Sequence, residues 1–458
     1  MSDLIKPSQP GGFRDYSPAQ MIARGAMIHQ IEEVYRRFGF LPLQTSIGQK
    51  RQVLTGGKAI SNRLWNLNVD SETSEPEQIS ARFDLTVPLA RFVASNIGET
   101  TWPLRRFEVG NVFRGESPQA GRYCEFMQFD ADIVGASVGA ADAELIVCMA
   151  AVMEAIGVER FLIKVNSRKI LNGFATQFGF APNSESTKAL LRTIDKIDKI
   201  GMRGVIAELQ NKEAPPGEEE IFAFDDAQIE KVVEFLQLTD RCKESGDHLA
   251  VLREYFPDGP GREGVEELEL ISELISAAGV NPERWVIDPS VARGLGYYTG
   301  PVFETVLLDK PEFGSVYSGG RYDDLVARFT GESLPSVGAS VGVDRLFAAL
   351  EALGAVDTSS PAVDVFIITI DKPLLPEYFA MARELREAGL RVEVNMNYQD
   401  TSMRAQMSIA LKRNAPVVIF YGERDARSQT AMVKDTRTRK QNPVPRAELS
   451  DYIVELLK

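Results

Sequence analysis

The sequence predicts an α+β protein with a large N-terminal domain on an antiparallel sheet and a smaller C-terminal α/β domain. Apolar alternation on both sides of a turn-rich centre, from Leu104 to Gly135, is typical of a long antiparallel hairpin. Helical patterns fill an acidic stretch further along the chain, which predicts an inserted helical module. The order strand, helix, strand, helix, strand at the C-terminus predicts a mostly parallel sheet. The predicted bounds are 1–354 for the large domain, approximately 170–280 for its helical, acidic insertion, 355–362 for a linker and 363–458 for the small domain.

The elements of the large domain follow from local patterns. Pro18 to Phe38 places apolar residues at helical spacing, and Gly39 follows as a stop. Ala81 to Asn96 begins with strand-like alternation and continues with a helical pattern. The hairpin should turn at GESPQAGRY, which contains a proline and two glycines. Within the acidic stretch, Gln228 to Leu238 predicts a helix.

Strands return in the second half of the large domain. They are predicted around Trp285 to Ile287, Val302 to Leu308 and Gly314 to Ser318, and Ser336 to Leu350 predicts a strand followed by a helix. The run AVDTSSPAVD then has the small, polar composition of a linker. After it, VDVFIITI is a continuous apolar run that suits a strand buried on both faces.

Length and composition limit the class of protein. At 458 residues the chain is too long for one ordinary core. No apolar run approaches bilayer length, and the N-terminus lacks the layout of a secretion signal, so we expect no membrane association. Three widely spaced cysteines favour a reducing compartment, and the predicted location is cytoplasmic. Two histidines make a zinc site unlikely to form, and no protein-bound metal is expected.

Charge is distributed unevenly along the chain, whose net charge is −14. Residues 213–273 hold 18 acidic against 5 basic side chains, whereas residues 400–446 hold 10 basic against 4 acidic ones. A polyanion would be repelled by the first segment and attracted by the second. The alternative is that both segments are ordinary solvated faces.

Three segments each place an arginine beside glycines or a tight turn. They are FRGE (Phe113 to Glu116), ARGLGYYTGPVFE (Ala292 to Glu304) and GASVGVDRL (Gly338 to Leu346). Arginine is the side chain best suited to bind phosphate through two parallel hydrogen bonds. Three such arginines from separate elements predict a triphosphate clamp without a Walker loop.

These segments resemble motifs 2 and 3 of class II aminoacyl-tRNA synthetases, and the second resembles the histidine-specific signature of the histidyl-tRNA synthetase family. The resemblance covers nearly the whole chain. It also includes RFDLTVPLARF (82–92), GRYCEFMQFDADIVG (121–135), VNSRKILNG (165–173), GGRYDDL (319–325) and the C-terminal domain. FRxE alone is a weak signal, but joined to the other motifs in this order it is specific.

The resemblance implies an ATP site, with Mg²⁺ accompanying the nucleotide. Arg114 and Arg293 would contact the α-phosphate from opposite sides, and these two residues and Gln128 would take part in catalysis. The residues implied for the rest of the nucleotide are Glu116 for adenine, Phe126 for stacking on the base, and Arg122 and Arg345 for the outer phosphates.

The resemblance also implies a histidine site. Asp84, Thr86 and Gln128, with Arg293, would hold the amino and carboxylate ends of the amino acid. Asp132 and Tyr298 would hydrogen-bond the two imidazole nitrogens, one of which donates and one of which accepts when the ring is neutral. Tyr297 and Tyr322 would complete this pocket.

The function implied is that of a histidine–tRNA ligase. It would form histidyl-adenylate and pyrophosphate from histidine and ATP, and then transfer histidine to the 3′ end of tRNA(His). The family also implies a homodimer, with the Pro18 to Phe38 helix as a candidate part of the interface. The residues implied to bind tRNA are the basic ones of the C-terminal domain: Lys412, Arg413, Lys434, Arg437, Arg439 and Lys440.

Two other functions stay open at this point. One is a non-catalytic regulatory subunit of ATP phosphoribosyltransferase, a class of protein that typically lacks the C-terminal domain. The other is a synthetase-like protein that acts on a different acceptor. This second alternative is suggested by departures from the family pattern: Gly296 replaces an aspartate, Cys124 replaces an arginine, and TSIGQ (45–49) lacks the usual proline and glutamate.

Individual residues also have simpler interpretations. Arg114 and Glu116 could be a cross-strand surface pair. Tyr297 and Tyr298 could be strand residues that serve packing. Asp84 could be the N-cap of the helix that follows it. The motifs in their combination, and not any one residue, therefore support the site.

Overall fold

The computed structural model describes residues 5–56, 64–67, 78–115, 121–182, 184–194, 196–210, 224–291, 297–357, 359–396 and 402–458. The chain divides into two compact units, Met1–Arg14 with Met27–Ala355 and Asp15–Ala26 with Val356–Lys458. Among the described residues, no helix combines the length and the apolar character that crossing a membrane requires.

The larger unit is built on an eight-stranded sheet. The strands of the sheet are β1 (Leu41–Pro42), β4 (Leu104–Phe113), β5 (Glu125–Val134), β6 (Phe161–Ser167), β7 (Trp285–Ile287), β8 (Pro301–Leu307), β9 (Ser315–Arg321) and β10 (Ser336–Gly342). Two further strands, β2 (Gly48–Lys50) and β3 (Ile79–Ala81), form a separate antiparallel ribbon. The order in the sheet is β1-β4-β5-β10-β9-β8-β6-β7. All neighbours are antiparallel except the edge pairs β1/β4 and β6/β7. The predicted antiparallel sheet is confirmed.

Helices pack around this sheet and form the insertion. Those between Pro18 and Ala352 are α1 (Pro18–Arg37), α2 (Arg51–Thr55), α3 (Thr86–Ser95), α4 (Ala140–Ala155), α5 (Arg168–Thr176), α6 (Glu185–Ile194), α7 (Ile197–Gln210), α8 (Asp226–Leu236), α9 (Leu238–Ser245), α10 (His248–Tyr255), α11 (Gly259–Ala277), α12 (Ala327–Thr330) and α13 (Val343–Ala352). In the described residues α5 to α11 follow one another between β6 and β7 without a strand, which confirms a helical insertion.

The insertion has its own apolar core, and local capping explains where its helices begin. The rings of Phe174 and Phe235 stack at a centroid distance of 4.0 Å. Asp225 is the N-cap of helix α8: its side chain accepts from the backbone N–H of Gln228, while the Gln228 side chain accepts from the N–H of Asp225. This capping box satisfies two backbone donors at the start of the helix.

The predicted long hairpin is β4 and β5, and its register decides which side chains face the site. Gly110 lies opposite Gln128, and Arg106 lies opposite Asp132. Because side chains alternate along a strand, Gln128, Asp130 and Asp132 share one face of β5. The other face is apolar, and the Phe129 ring there meets the Tyr35 ring of α1 at 4.9 Å.

The smaller unit contains a five-stranded sheet and four α-helices in the described residues. They are β11 (Val365–Thr369), α14 (Leu375–Glu387), β12 (Val392–Val394), α15 (Met403–Lys412), β13 (Val417–Tyr421), α16 (Glu423–Ser428), β14 (Thr430–Asp435), β15 (Gln441–Pro445) and α17 (Leu449–Leu457). The strand order is β12-β11-β13-β14-β15. The first three strands are parallel as predicted, but β14 and β15 add two antiparallel pairs. The prediction of a parallel sheet is therefore correct for β11, β12 and β13, but it did not include β14 and β15, where charged residues mask the strand pattern.

Candidate functional site

A cavity of about 330 Å³ lies against the polar face of the eight-stranded sheet, at the low end of the size range of small-molecule sites. Its walls come from the hairpin β4/β5, from β8, β9 and β10, and from the segment before β8. The lining residues are Asp84, Thr86, Arg114, Gly121, Arg122, Tyr123, Phe126, Gln128, Val291, Tyr297, Tyr298, Phe303, Glu304, Ser315, Val316, Ser318, Gly319, Ser340, Gly342 and Arg345.

Three of the four arginines predicted to bind phosphate line this cavity. Arg114 follows β4 directly, donates from Nε to the Phe83 carbonyl oxygen at 3.0 Å, and lies 5.0 Å from the centre of the Phe126 ring. Arg345, in the first turn of α13, donates from Nη1 to the Ser315 carbonyl oxygen at 2.8 Å. Arg122 is the third. These backbone contacts hold two of the guanidinium groups in place at the cavity.

Glycine brings two of these arginines close together. Gly121, with φ of 69°, is in the left-handed region that favours glycine, and it precedes Arg122 at the end of the hairpin turn. A Cβ atom at Gly121 would lie 3.5 Å from Cγ of Arg345. The predicted Arg293 and Glu116 lie outside the described residues.

The residues predicted for the amino and carboxylate ends of histidine are also at the cavity. Asp84 is buried; its Oδ1 accepts from the N–H of Val87 at 3.0 Å, and its Oδ2 accepts from the Tyr297 hydroxyl at 3.0 Å. The carboxylate therefore accepts from the first turn of α3, whose N-cap is Leu85, and also contacts a cavity residue. Burial raises the pKa of Asp84, opposed by the Val87 hydrogen bond and by Arg114. Gln128 donates from Nε2 to Ser340 Oγ at 2.6 Å.

Asp132 and Tyr322, which were predicted for the imidazole pocket, lie behind the cavity wall and are not among its lining residues. Asp132 is buried, with Oδ2 2.9 Å from Nη2 of Arg106 and Oδ1 accepting from the Tyr322 hydroxyl at 2.5 Å. Both oxygens thus already have a cationic or hydroxyl neighbour within the protein. Gly338 leaves the space for this carboxylate, since a Cβ there would lie 1.9 Å from Oδ1 of Asp132.

Asp132 belongs to a buried ionic cluster that we define as Arg82, Arg106, Glu108 and Asp132. Nη1 of Arg82 lies 2.7 Å from Oε1 of Glu108, and Nη1 of Arg106 lies 3.4 Å from its Oε2. Thr45, in the TSIGQ segment that departs from the family pattern, donates from its N–H to Glu108 Oε1 at 2.9 Å. Although its sequence differs from the family pattern, the TSIGQ segment is therefore held by hydrogen bonds between Thr45 and the buried ionic cluster.

Several cavity residues were missed by the sequence interpretation. Ser340 lies on β10 and Glu304 on β8, on either side of β9. Tyr123 accepts from Nη1 of Arg14 at 3.1 Å. Arg14 also forms an ion pair with Glu351 of α13 at 3.0 Å, which ties the hairpin turn to the helix that carries Arg345. The sequence signal was alternation: Glu304 and Ser340 occupy the cavity-facing positions of β8 and β10.

In the smaller unit, the basic residues predicted to bind tRNA divide into two groups. Lys412 and Arg413 end α15, and the hairpin turn with Arg437, Arg439 and Lys440 lies beside the following loop, since Thr436 N–H donates to Pro416 O at 2.8 Å. Arg413 and Arg437 are each paired with an acid, Glu393 at 3.1 Å and Asp435 at 3.0 Å.

Lys434 lies apart from this turn. With Arg404 it lines a mainly apolar groove on α15 and the adjacent strands, whose other residues are Met403, Met407, Ser408, Leu411 and Phe420.

Comparisons with known proteins agree over the whole chain. The profile of the family described as histidyl-tRNA synthetase matches residues 12–346, and that of the anticodon binding domain matches residues 364–456. The histidine–tRNA ligase of Paracoccus denitrificans is 40% identical over 94% of this chain and 90% of its own length. That of Rhodopirellula baltica is 36% identical over 99% of both chains. The crystal structure of histidyl-tRNA synthetase from Nostoc sp. PCC 7120 is similar with a TM-score of 0.81 and 30% identity, over 99% of this chain and 100% of that one.

Proposed function

The chain belongs to the histidyl-tRNA synthetase family and is an aminoacyl-tRNA ligase, and we propose that the cavity is where it activates histidine with ATP. One observation supports this proposal most directly. A single cavity holds Arg114, Arg122 and Arg345 together with a second group of polar residues, Asp84, Gln128 and the two adjacent tyrosines. The first group suits phosphate, and the second suits an amino acid.

The activation step needs two charged partners aligned. A carboxylate oxygen of histidine attacks the α-phosphorus of ATP, the bond to the bridging oxygen breaks, and pyrophosphate leaves. Arg114 stabilises the negative charge that builds on the phosphoryl oxygens, because its position is already fixed by the Phe83 carbonyl. Arg345 and Arg122 hold the outer phosphates, and Phe126, beside the Arg114 guanidinium, offers a ring for the adenine. From the sequence, Arg293 acts on the α-phosphate with Arg114.

At the other end of the cavity, Asp84 accepts hydrogen bonds from the ammonium group of histidine. Tyr297 donates to Asp84, which keeps the carboxylate oriented, and Thr86 lies in the first turn of α3 beside it. Gln128 is fixed by Ser340 and positions the substrate carboxylate for attack. Tyr298 faces the imidazole. In the second step a ribose hydroxyl of tRNA attacks the activated carbonyl carbon, and AMP leaves.

Magnesium ions would accompany ATP. Among the described residues, no group of three or more potential ligands could hold a metal ion. Glu304 on the cavity wall supplies one hard oxygen ligand. This donor set fits Mg²⁺, which commonly takes one or two carboxylates, substrate phosphates and waters. When bound, the ion would neutralise phosphate charge, and Glu304 would orient it.

The smaller unit binds tRNA in this proposal. The exposed basic turn and Lys412 contact phosphates, and the groove beside Lys434 offers apolar and cationic surface together. We expect Lys434→Ala to weaken tRNA binding and to leave histidine-dependent pyrophosphate exchange unchanged, because that exchange needs no tRNA.

A tenfold lower salt concentration should strengthen tRNA binding steeply, because protein contacts to the tRNA phosphates release counterions. Equal tRNA affinity for Lys434→Ala and the parent in filter binding, or a flat salt dependence, would contradict this role.

We also propose a homodimer in the cytoplasm. Around the ribbon β2/β3, apolar side chains are strongly exposed: Leu41 by 65%, Leu67 by 47%, Ile47 by 45% and Ile79 by 44%. A second copy of the chain would cover this surface. Leu41→Asp with Ile79→Asp should shift the sedimenting mass from two chains to one. A parent protein that already sediments as a single chain would disprove the dimer.

The three free, buried cysteines fit the reducing compartment that a cytoplasmic location implies.

The test of the catalytic proposal is histidine-dependent exchange of pyrophosphate into ATP, with the other amino acids as controls, followed by charging of tRNA. Exchange with histidine alone and then charging supports it. Histidine binding without exchange would point to the regulatory subunit, which is not favoured, because relatives at about 40% identity over most of the chain are histidine–tRNA ligases. Exchange without charging would indicate another acceptor.

A further inference from the structure

The N-terminal segment, residues 10–14, lies along the end of the β4/β5 hairpin turn. The carbonyl oxygen of Gly12 accepts from the N–H of Cys124 at 2.7 Å, and the carbonyl oxygen of Cys124 accepts from the N–H of Arg114 at 2.8 Å. The segment is therefore a third length of backbone beside the two arms of the hairpin. It joins them at the height of Arg114, the arginine proposed for the α-phosphate.

Arg14, at the end of this segment, bridges two elements that carry cavity residues. Its Nη1 donates to the Tyr123 hydroxyl at 3.1 Å, and its Nη2 forms an ion pair with Oε2 of Glu351 at 3.0 Å. Tyr123 lines the cavity at the end of the hairpin turn, and Glu351 lies in the last turn of α13. Because a guanidinium group presents its donors in a rigid planar fork, one arginine can hold both partners at a fixed separation.

Each of the two bridged elements also carries one of the arginines proposed for the outer phosphates of ATP. Arg122 directly precedes Tyr123, and Arg345 lies in the first turn of α13. The two elements meet closely there, since a Cβ atom at Gly121 would lie 3.5 Å from Cγ of Arg345. The distance between the two arginines therefore depends on how the end of the turn lies against this helix.

The helix and the turn are held to different degrees. At the start of α13, Oδ2 of Asp344 accepts from the N–H of Met127 on β5 at 2.5 Å, which fixes the helix on the sheet. Among the described residues, Arg14 is the only hydrogen-bond partner of the Tyr123 side chain. Loss of the Arg14 guanidinium should therefore loosen the end of the turn and leave the helix in place.

We propose that Arg14 is a positioning residue for ATP: it holds the end of the hairpin turn against α13 and so aligns Arg122 with Arg345 on the outer phosphates. The inference rests on the proposed function of the cavity. It predicts a defect that is concentrated on the two outer phosphates, because Arg114 has a separate contact with the carbonyl oxygen of Phe83.

The first test compares the binding of ATP and of AMP to the full-length protein and to Arg14→Ala by titration calorimetry. A misplacement of about 1 Å can cost about 10²-fold, so we expect a partial loss, with Kd for ATP about tenfold higher. AMP lacks the outer phosphates, and its Kd should stay within about twofold. Arg14→Lys should recover part of the ATP affinity, because it keeps a cation for Glu351. Unchanged ATP affinity in Arg14→Ala, or equal losses for ATP and AMP, would overturn the proposal.

The second test measures steady-state pyrophosphate exchange. In Arg14→Ala, KM for ATP and KM for pyrophosphate should both rise about tenfold, because the outer phosphates of ATP are the pyrophosphate of the reverse step. KM for histidine should stay within about twofold, and kcat should change less than KM for ATP, as when an interaction is equal in the ground and transition states. Adding Glu351→Gln should raise KM for ATP by less than the product of the two single effects, since the residues act as one contact.

Arg105→Ala is the matched control. Arg105 pairs with Glu144 at 2.7 Å, also as a partly exposed ion pair of the larger unit, but it is not among the residues that line the cavity. It should change none of the three KM values. An equal rise of KM for ATP and for histidine in Arg14→Ala would contradict a role in phosphate alignment. A parent protein that binds ATP without histidine-dependent exchange would instead disprove the proposed cavity function, and the comparison of ATP with AMP would still decide the role of Arg14.

Discussion

Replacing Arg114 by alanine is expected to lower the rate of histidine-dependent pyrophosphate exchange by about 10²–10³-fold, the range for removing one donor that stabilises transition-state charge. The loss should appear in kcat, because this guanidinium is fixed by Phe83 and meets the strongest negative charge only as the α-phosphate is attacked. Histidine affinity, measured by calorimetry without ATP, should stay within about twofold, since the residues of the histidine end are unchanged.

Arg427→Ala is the matched control, because Arg427 is 81% exposed in the smaller unit and pairs only weakly with Glu423 at 3.7 Å. It should leave exchange unchanged. Arg293→Ala should reproduce the loss in the Arg114 variant, and the double variant should lose less than the product of the two, because both act on the same phosphate. Full activity of Arg114→Ala would remove this residue from the mechanism.

Much of the fold could be predicted because local pattern and tertiary structure agree. The Pro18–Arg37 helix buries Met27, Ile31 and Val34 at helical spacing, and the Leu104–Val134 hairpin pairs in register on both sides of its turn. The five-stranded sheet was predicted only in part. Thr430–Asp435 alternates half-buried and buried positions, but lysine and aspartate there mask the apolar period, and Gln441–Pro445 has only one buried residue.

The candidate site could be predicted at the level of motifs but not of atoms. The glycines and arginines of the three motifs are visible in sequence, and Arg114, Arg122 and Arg345 meet at one cavity. Sequence cannot show that Asp132 lies against Arg106 and Tyr322 behind the cavity wall, because that depends on the register of β4 against β5 and on the position of Arg106. Nor could it show that Arg413 is paired with Glu393, because that contact depends on how the end of α15 lies against β12.

Replacing Arg106 by leucine is expected to have the largest effect on stability. Arg106 is fully buried between Glu108 and Asp132, so its removal leaves carboxylates without their cation in a place that water does not reach. Breaking a buried ion pair in this way costs about 3–5 kcal/mol of unfolding free energy. Thermal unfolding followed by circular dichroism should show a markedly lower melting temperature for the larger unit.

Arg160→Leu provides the comparison, since the same substitution there breaks an ion pair with Asp309 in which both side chains are largely exposed. Such pairs contribute about 0–1 kcal/mol, so its melting temperature should barely change. Adding Asp132→Asn to Arg106→Leu should recover part of the lost stability, because it removes one of the stranded charges. Equal melting temperatures for Arg106→Leu and Arg160→Leu would show that the buried ionic cluster does not stabilise the fold beneath the cavity. Asp132 would then be free to turn toward the substrate.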